Sequence, residues 1–382
     1  MLVVFWIGLA VLAWVLVLYP ALSVFRGWLL RRPYHSDDQH TPSVSILIAA
    51  YNEENAIGDR LRNLLSQDYP RELLQIVVAS DGSSDRTVEI AREFVNEGIR
   101  VLDLPRAGKI PAVNAAMSYL DGEILVMTDA NSQFNDDAIR QLVKSFADQS
   151  VGGVAGNQVY ARDDSGADGE HSYWNLDRML KLQQSKAGSV ISATGAIYAM
   201  RRSLVQTIPS AVTDDFYLST GVLDAGQRLV FNESAIAVEP VAPRNSAEFA
   251  RKVRVMTRGF RSLWMRKSLM NPFRTGFYAV DLISYKLLKR LLAIPLVAIL
   301  ISSCVLAGES ALFWWLAMVQ IVGYAVALAS TLLSGTPLGR IKPVRIAAYL
   351  VMTNTAALIA ILNSVSGRQI DRWEPQRQEV GT

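Results

Sequence analysis

The chain has 382 residues, a formal net charge of +3, one cysteine and three histidines. That length allows two or three structural units. The lone Cys304 excludes a disulfide framework or a cysteine zinc cluster, and the scattered His35, His40 and His171 give little support to histidine-based metal or triad chemistry.

Hydrophobic residues make up 51% and mean hydropathy is +0.20, too apolar for a soluble protein unless the excess is localised. It is. Residues 2–24 carry no charge, and 291–307, 311–333 and 346–362 are likewise free of charged side chains. Each approaches the ~20 residues that span a bilayer, with 291–307 short unless it begins nearer Leu287. These runs expose no buried acid or base that would mark a transport path. The first lacks a basic n-region and has a long apolar core, which favours an anchor over a cleaved signal. Arg26, Arg31 and Arg32 follow it; Lys286, Lys289 and Arg290 precede the second run, and Arg340, Lys342 and Arg345 the last. The positive-inside rule then puts 26–290 and 337–345 in the cytoplasm. Span counting would export the tail, whose Arg368, Arg372 and Arg377 argue against it, so a re-entrant or interfacial last segment stays open.

After a polar linker, residues 44–50 (VSILIAA) read as a buried strand and 51–55 (YNEEN) as a turn into a helix. A second strand ends at Ala79 and runs into Ser80–Asp85, capping a helix expected over 86–96. A strand over 100–104 precedes Arg106-Ala107-Gly108-Lys109 and a helix to about Leu120. The strand 124–128 then meets Asp129-Ala130-Asn131. Apolar strands alternating with helices predict an α/β fold with a mostly parallel sheet covered on both faces. Ligands of such sheets gather at the carboxyl ends of the strands. Asp81 and Asp85 can hold a base or ribose, although Asp85 is as well suited to capping. Lys109, behind a flexible glycine, can reach pyrophosphate oxygens. Asp129 and Asn131 suit an oxygen-preferring cation, Mg²⁺ or Mn²⁺, shared with phosphates, although the tripeptide alone equally fits an Asx-turn closing the strand. Together these residues describe a nucleotide-diphosphate site.

Further on, the polar run 161–170 reads as a loop. Ser192-Ala193-Thr194-Gly195-Ala196 precedes an apolar strand, and the glycine there either allows close backbone approach to a sugar or is kept for strand packing. Thr213-Asp214-Asp215 opens a helix: Thr is a good N-cap and acids favour the first turn, but a carboxylate there can also deprotonate an acceptor hydroxyl. Over 245–267, Phe249, Val253, Met256, Phe260 and Leu263 share one helical face and Arg251, Arg254, Arg258 and Arg261 another. Such a helix reads as lying on a membrane surface.

The ordered motifs IAAYNEE, ASDGSSDRT, RAGKIPAVNAA, TDAN, ATGAIYAMRR and TDDFYL resemble those of the inverting family 2 glycosyltransferases with the GT-A fold, across residues 43–265. The chain resembles the membrane branch: hyaluronan, chitin, cellulose and poly-N-acetylglucosamine synthases. The resemblance implies that Tyr51 and Glu53 with Asp81 form the uridine pocket, and that Lys109 lies near the donor's base and phosphates. Asp129 and Asn131 match D-x-D with Asn in place of the second Asp. Thr213-Asp214-Asp215 matches T-E-D, making Asp215 the base, with Asp214 beside the acceptor residues Gly195 and Ala196. Where processive relatives hold Q-x-x-R-W, this chain has Arg251-Lys252-Val253-Arg254-Val255, keeping Arg254 for the diphosphate but losing Gln and Trp.

The implied function is inverting, metal-dependent transfer from a nucleotide-sugar, UDP-linked, to a glycan or lipid-linked acceptor in polysaccharide synthesis. Expected partners are that donor and acceptor, the lipid bilayer and export or assembly proteins, with no nucleic-acid polymer. A non-catalytic membrane scaffold is the alternative. The expected organisation is an anchor over 1–25, a GT-A domain over 43–240, an interface helix region over 245–285, about three transmembrane helices over 287–365 and a tail over 366–382.

Overall fold

The computed structural model describes residues 1–161, 168–240, 246–332 and 341–368, which form two compact units. The tail beyond 368 and most of the expected loop over 161–170 lie outside the described residues; that loop's last part, from Asp168, begins a helix.

One unit comprises the described residues of 26–161 and 178–240 and holds an eight-stranded sheet. Its strands are β1 (Val44–Ala50), β2 (Leu74–Asp81), β3 (Ile99–Leu104), β4 (Ile124–Asp129), β5 (Gln133–Phe134), β6 (Val151–Tyr160), β7 (Tyr198–Arg201) and β8 (Arg228–Glu239), in the order β3-β2-β1-β4-β7-β6-β8-β5. β1 pairs in parallel with β2 and β4, as do β2 with β3 and β6 with β8. β7 is antiparallel to both neighbours. Every residue of β1 is buried because the sheet is covered on both faces. Ile46, Ile48, Ile76 and Val126 enter one core with Ile57, Leu61 and Leu64; Leu47, Val77, Leu125 and Met127 enter the other with Val113 and Leu218. That period-two division is why the strands read as unbroken apolar runs.

The helices that position the site are α2 (Ile57–Leu65), α3 (Thr87–Arg92), α4 (Lys109–Ala116) and α7 (Asp214–Asp224); α1, α5 and α6 are Leu2–Leu29, Ala138–Val143 and Asp168–Ala187. The helix expected over 86–96 is α3 alone, followed by a 3-10 turn at Val95–Glu97. Parallel register aligns the strand ends: Ala50 pairs with Ser80, Ala49 with Asp129 and Asp81 with Leu104. The chain steps outward from β1 to β3 and returns to β4 on β1's other side. The crevice at that reversal is where open α/β sheets bind ligands.

The other unit is helical, with α8 (Ser246–Met265), α9 (Phe277–Leu291), α10 (Ala293–Leu306), α11 (Ala311–Leu332) and α12 (Lys342–Val365) joined by most of α1. Among the described residues three helices, Leu2–Leu29, Ala311–Leu332 and Ile346–Val365, are long and apolar enough to cross a membrane, or four if the bent pair α9 and α10 is one span. The run that looked short at 291–307 thus gains a preceding limb, bent from it by 55°. Its basic residues Lys286, Lys289 and Arg290 had looked like a boundary, yet the helix runs through them. Ahead of the charge-free runs read from the sequence, this limb carries Asp281, which is 2% exposed and accepts from the Tyr19 hydroxyl at 3.1 Å. Trp14 Nε1 donates to Ser284 Oγ at 2.9 Å close by, where both segments take a π-helical turn. The basic helix α8 packs along α12, with Leu263 buried and Lys252 donating to the Tyr349 hydroxyl at 3.3 Å.

Candidate active site

The turn after β1 is stitched to the turn after β2. Asn52 adopts a left-handed conformation (φ +54°), which asparagine tolerates, and its Oδ1 accepts from Ser84 N at 2.8 Å. Ser83 Oγ accepts from Asn52 N at 3.1 Å, and Thr87 Oγ1 from Glu53 N at 2.7 Å. Asp85 accepts from Thr87 N at 3.0 Å and from Glu54 N at 3.2 Å, so its carboxylate secures the start of α3.

Asp81 is 1% exposed, and its carboxylate accepts from Ala107 N at 2.7 Å, Gly108 N at 2.8 Å and the Arg106 guanidinium. Gly108 has φ +109°, a conformation that favours glycine and turns the chain from these bonds into α4. The same Arg106 lies 3.5 Å over the ring of Tyr51. Tyr51, Asp81 and the 106–108 turn therefore form one surface.

Lys109 opens α4 with its ammonium 2.9 Å from Asp129 Oδ1 and 3.1 Å from Asp214 Oδ2. Burial works against its charge, but these two carboxylates together hold its pKa above the ordinary lysine value. Glu53 faces the same group. Burial, then the charges of Asp129 and Asp85, push its carboxyl up to about 7, with Lys109 opposing them.

Gly195 lies against Asp129: a Cβ there would stand 3.0 Å from Asp129 Oδ2. Ala196 is buried and its carbonyl accepts from Thr128 Oγ1 at 2.7 Å. Asp214 and Asp215 occupy the first turn of α7 behind the N-cap Thr213, and Asp215 Oδ1 accepts from Phe216 N at 2.7 Å. Asn131 is exposed in the turn after β4.

Tyr51, Glu53, Asp81, Lys109, Asp129, Asn131, Gly195, Ala196, Asp214 and Asp215 all belong to the sheet unit, while Arg254 lies on α8 of the helical unit. Contacts link Lys109, Asp129, Asp214 and Gly195 directly and join Tyr51 to Asp81 through Arg106. Two groups were not singled out from the sequence. Tyr198, on β7, has a buried hydroxyl with no hydrogen-bond partner among the described residues, and its pKa is raised by burial and then by Asp214, Asp215 and Asp129. Arg60, on α2, is fully buried and donates to Thr128 Oγ1 at 2.8 Å. A tyrosine in an apolar strand and an arginine in a polar-looking helix leave no signal in composition.

Residues 45–208 match the family model for glycosyl transferase family 2. Poly-beta-1,6-N-acetyl-D-glucosamine synthase of Staphylococcus epidermidis is 27% identical over 212 residues, covering 52% of this chain and 51% of that protein. Beta-monoglucosyldiacylglycerol synthase of Trichormus variabilis is 28% identical over 207 residues, covering 50% and 44%. The chain thus spans about half the length of the curated relatives it matches. In fold it is similar to the mannosyltransferase PcManGT from Pyrobaculum calidifontis, solved with GDP-Man and Mn²⁺, with a TM-score of 0.72 at 24% identity over 96% of this chain and 100% of that one. With the mixed, mostly parallel sheet and its aligned strand ends, these matches identify residues 45–208 as a family 2 glycosyltransferase domain of GT-A fold.

Proposed function

We propose that this chain transfers a sugar, with inversion, from a UDP-sugar to a glycan or lipid-linked acceptor at the cytoplasmic face of a cell membrane, in polysaccharide synthesis. The observation that carries this reading is the junction at Lys109, whose ammonium joins Asp129 at the end of β4 to Asp214 at the start of α7. A donor-side carboxylate and an acceptor-side helix end thereby meet at one cation.

On this reading the donor's base packs on Tyr51 and accepts or donates along the Asp81 edge, with Glu53 alongside. Lys109 binds diphosphate oxygens, for which an ammonium is suited. Gly195 and Ala196 line the sugar-receiving side, where the missing Cβ leaves room beside Asp129. Asp215 takes the proton from the acceptor hydroxyl as that oxygen attacks the anomeric carbon, and the sugar–phosphate bond breaks on the opposite side. An α-linked donor then gives a β-linked product.

The residues present fit a divalent cation. Among the described residues no three His, Cys, Asp or Glu side chains form a metal cage. Asp129, against which the Cβ-less Gly195 packs, and Asn131 are instead a sparse oxygen donor set, suited to Mg²⁺ or Mn²⁺ that keeps phosphate and water ligands. Bound there, the ion would supply positive charge to the departing diphosphate.

The apolar helices support a membrane setting, and the basic residues flanking them support a cytoplasmic catalytic domain. One relative's name is that of a polysaccharide synthase and the other's that of a glycolipid synthase, which supports glycan and lipid acceptors alike. The experiment uses membranes carrying the chain, radiolabelled UDP-sugars with GDP-mannose as a second donor class, and Mg²⁺ or Mn²⁺. Transfer that drops about a hundredfold or more in Asp215→Asn supports the reading, the range expected for loss of a general base. Long water-soluble products would indicate a polymerase, and a single extractable lipid a one-sugar transferase. No transfer or donor hydrolysis with any donor would leave the non-catalytic scaffold.

A further inference from the structure

Arg60 is a buried charge that packing alone does not explain. It is 0% exposed, among Ile57, Leu61 and Leu64 on the buried face of α2. Among the described residues no carboxylate pairs with it, and its Nε has no hydrogen-bond partner. An apolar residue of similar size would avoid the desolvation of a guanidinium. Burial accordingly lowers its pKa to about 9, with the charge of Asp129 acting the other way, so it is protonated at neutral pH.

Its contacts converge on a single turn. Nη2 donates to Thr128 Oγ1 at 2.8 Å, and the Thr128 hydroxyl in turn donates a hydrogen bond to Ala196 O at 2.7 Å. Nη1 donates to Asn63 Oδ1 at 2.7 Å, and the guanidinium lies 4.0 Å over the ring of Phe134. One helical turn on, Asn63 accepts from Phe134 N and donates to Phe134 O, both at 2.8 Å. Residues 128 and 134 are the two ends of the segment that presents Asp129 and Asn131. Arg60 and Asn63 therefore hold that segment at both ends, and Thr128 docks it on the residue after Gly195.

We propose that Arg60 is a positioning residue: through Thr128 it fixes the Asp129–Asn131 turn against the Gly195–Ala196 segment, so that the cation of the donor complex meets a preset carboxylate. The inference rests on the glycosyltransferase reading above. Holding such a turn from a rigid helix is how supporting residues keep a site within a fraction of an ångström of its working geometry.

The test uses the full chain in detergent and Mn²⁺ as the probe. Free Mn²⁺ is followed by electron paramagnetic resonance at saturating UDP, and UDP binding is measured separately in EDTA. Arg60→Met and Thr128→Val are expected to raise the Mn²⁺ half-saturation about tenfold while metal-free UDP binding stays within about twofold. Arg60→Lys, which keeps a donor, is expected to recover most of the loss. A merely structural role would weaken both bindings together or neither, and either result overturns the proposal. If Arg60→Met fails to fold, Thr128→Val carries the same comparison, and an unchanged half-saturation in it is equally fatal. Wild-type chain that binds neither UDP nor Mn²⁺ with UDP would bring down the glycosyltransferase reading itself, and this inference with it. Normal wild-type binding with unaltered variants would bring down only the role of Arg60.

Discussion

Lys109 stands 2.9 Å from Asp129 and 3.1 Å from Asp214, so one ammonium bridges two carboxylates from segments far apart in the chain. All three side chains are shielded, with 15%, 34% and 17% of their surface exposed, which keeps the interaction from being screened away. A divalent cation at Asp129 must compete with this ammonium. Lys109→Met is expected to bind Mn²⁺ about tenfold more tightly in the absence of nucleotide, in keeping with a charge-assisted bond worth about 1.5–3 kcal/mol. The same variant should bind UDP more weakly, having lost a phosphate partner. Paired titrations with Mn²⁺ and UDP check both signs.

Arg106 covers the ring of Tyr51 and pairs with Asp81, the two residues proposed to hold the base. The base and the guanidinium would occupy the same stacking surface. Tyr51→Ala is expected to weaken UDP binding about tenfold, within the ~1–3 kcal/mol typical of base–aromatic stacking. Arg106→Ala uncovers the ring and should tighten UDP binding about threefold. Equilibrium dialysis with labelled UDP distinguishes these outcomes, and weaker binding in Arg106→Ala would mean that the guanidinium contacts the nucleotide itself.

Glu53 gives a prediction in pH. Burial, then Asp129 and Asp85, raise its pKa from 4.5 to about 7, against the opposing charge of Lys109. Between those values the folded state binds more protons than the unfolded state. Stability contributed by this group is therefore fully present below the unfolded pKa and is lost as pH rises through about 7. Glu53→Gln is expected to flatten that part of the melting-temperature profile between pH 4.5 and 7, as followed by circular dichroism. An identical slope in the variant would assign it to other groups.

Gly195 tests the closeness of the two halves of the site. Its absent Cβ would lie 3.0 Å from Asp129 Oδ2, so alanine forces a shift of a few tenths of an ångström in that carboxylate. Gly195→Ala is expected to fold with a near-normal melting temperature while sugar transfer falls about tenfold, with a rise in the Mn²⁺ needed for half-maximal rate. Gly195→Ser, with a larger side chain, should fall further. A dependence on Mn²⁺ unchanged in both variants would separate this glycine from the cation site.

Much of the site was legible because its residues sit at the ends of strands that declare themselves. Val44–Ala50 and Ile124–Asp129 are apolar runs ending in polar turns, and parallel pairing of the two makes their ends coincide. Lys109 was legible behind its glycine, and Asp214 and Asp215 at a helix start. Its bridge to both acids was not, because that contact joins segments far apart in the chain. Arg60 was hidden for another reason: on α2, flanked by Asp59 and Arg62, it reads as one more charge of an exposed helix.

By itself the sequence determined the classes of element and their chemistry. Period-two burial on both faces dictates apolar strands, strand ends dictate where acids and amides cluster, and uncharged runs dictate helices fit for a bilayer. Tertiary structure alone decided the antiparallel insertion of Tyr198–Arg201 beside Ile124–Asp129, the bend ahead of Ala293 with Asp281 buried against Tyr19, and the burial of Arg60 under Thr128. Each of these depends on which distant surface a segment meets. A local pattern fixes how apolar a face is, but only the partner across the sheet or helix pair fixes whether a polar group on it finds a bond.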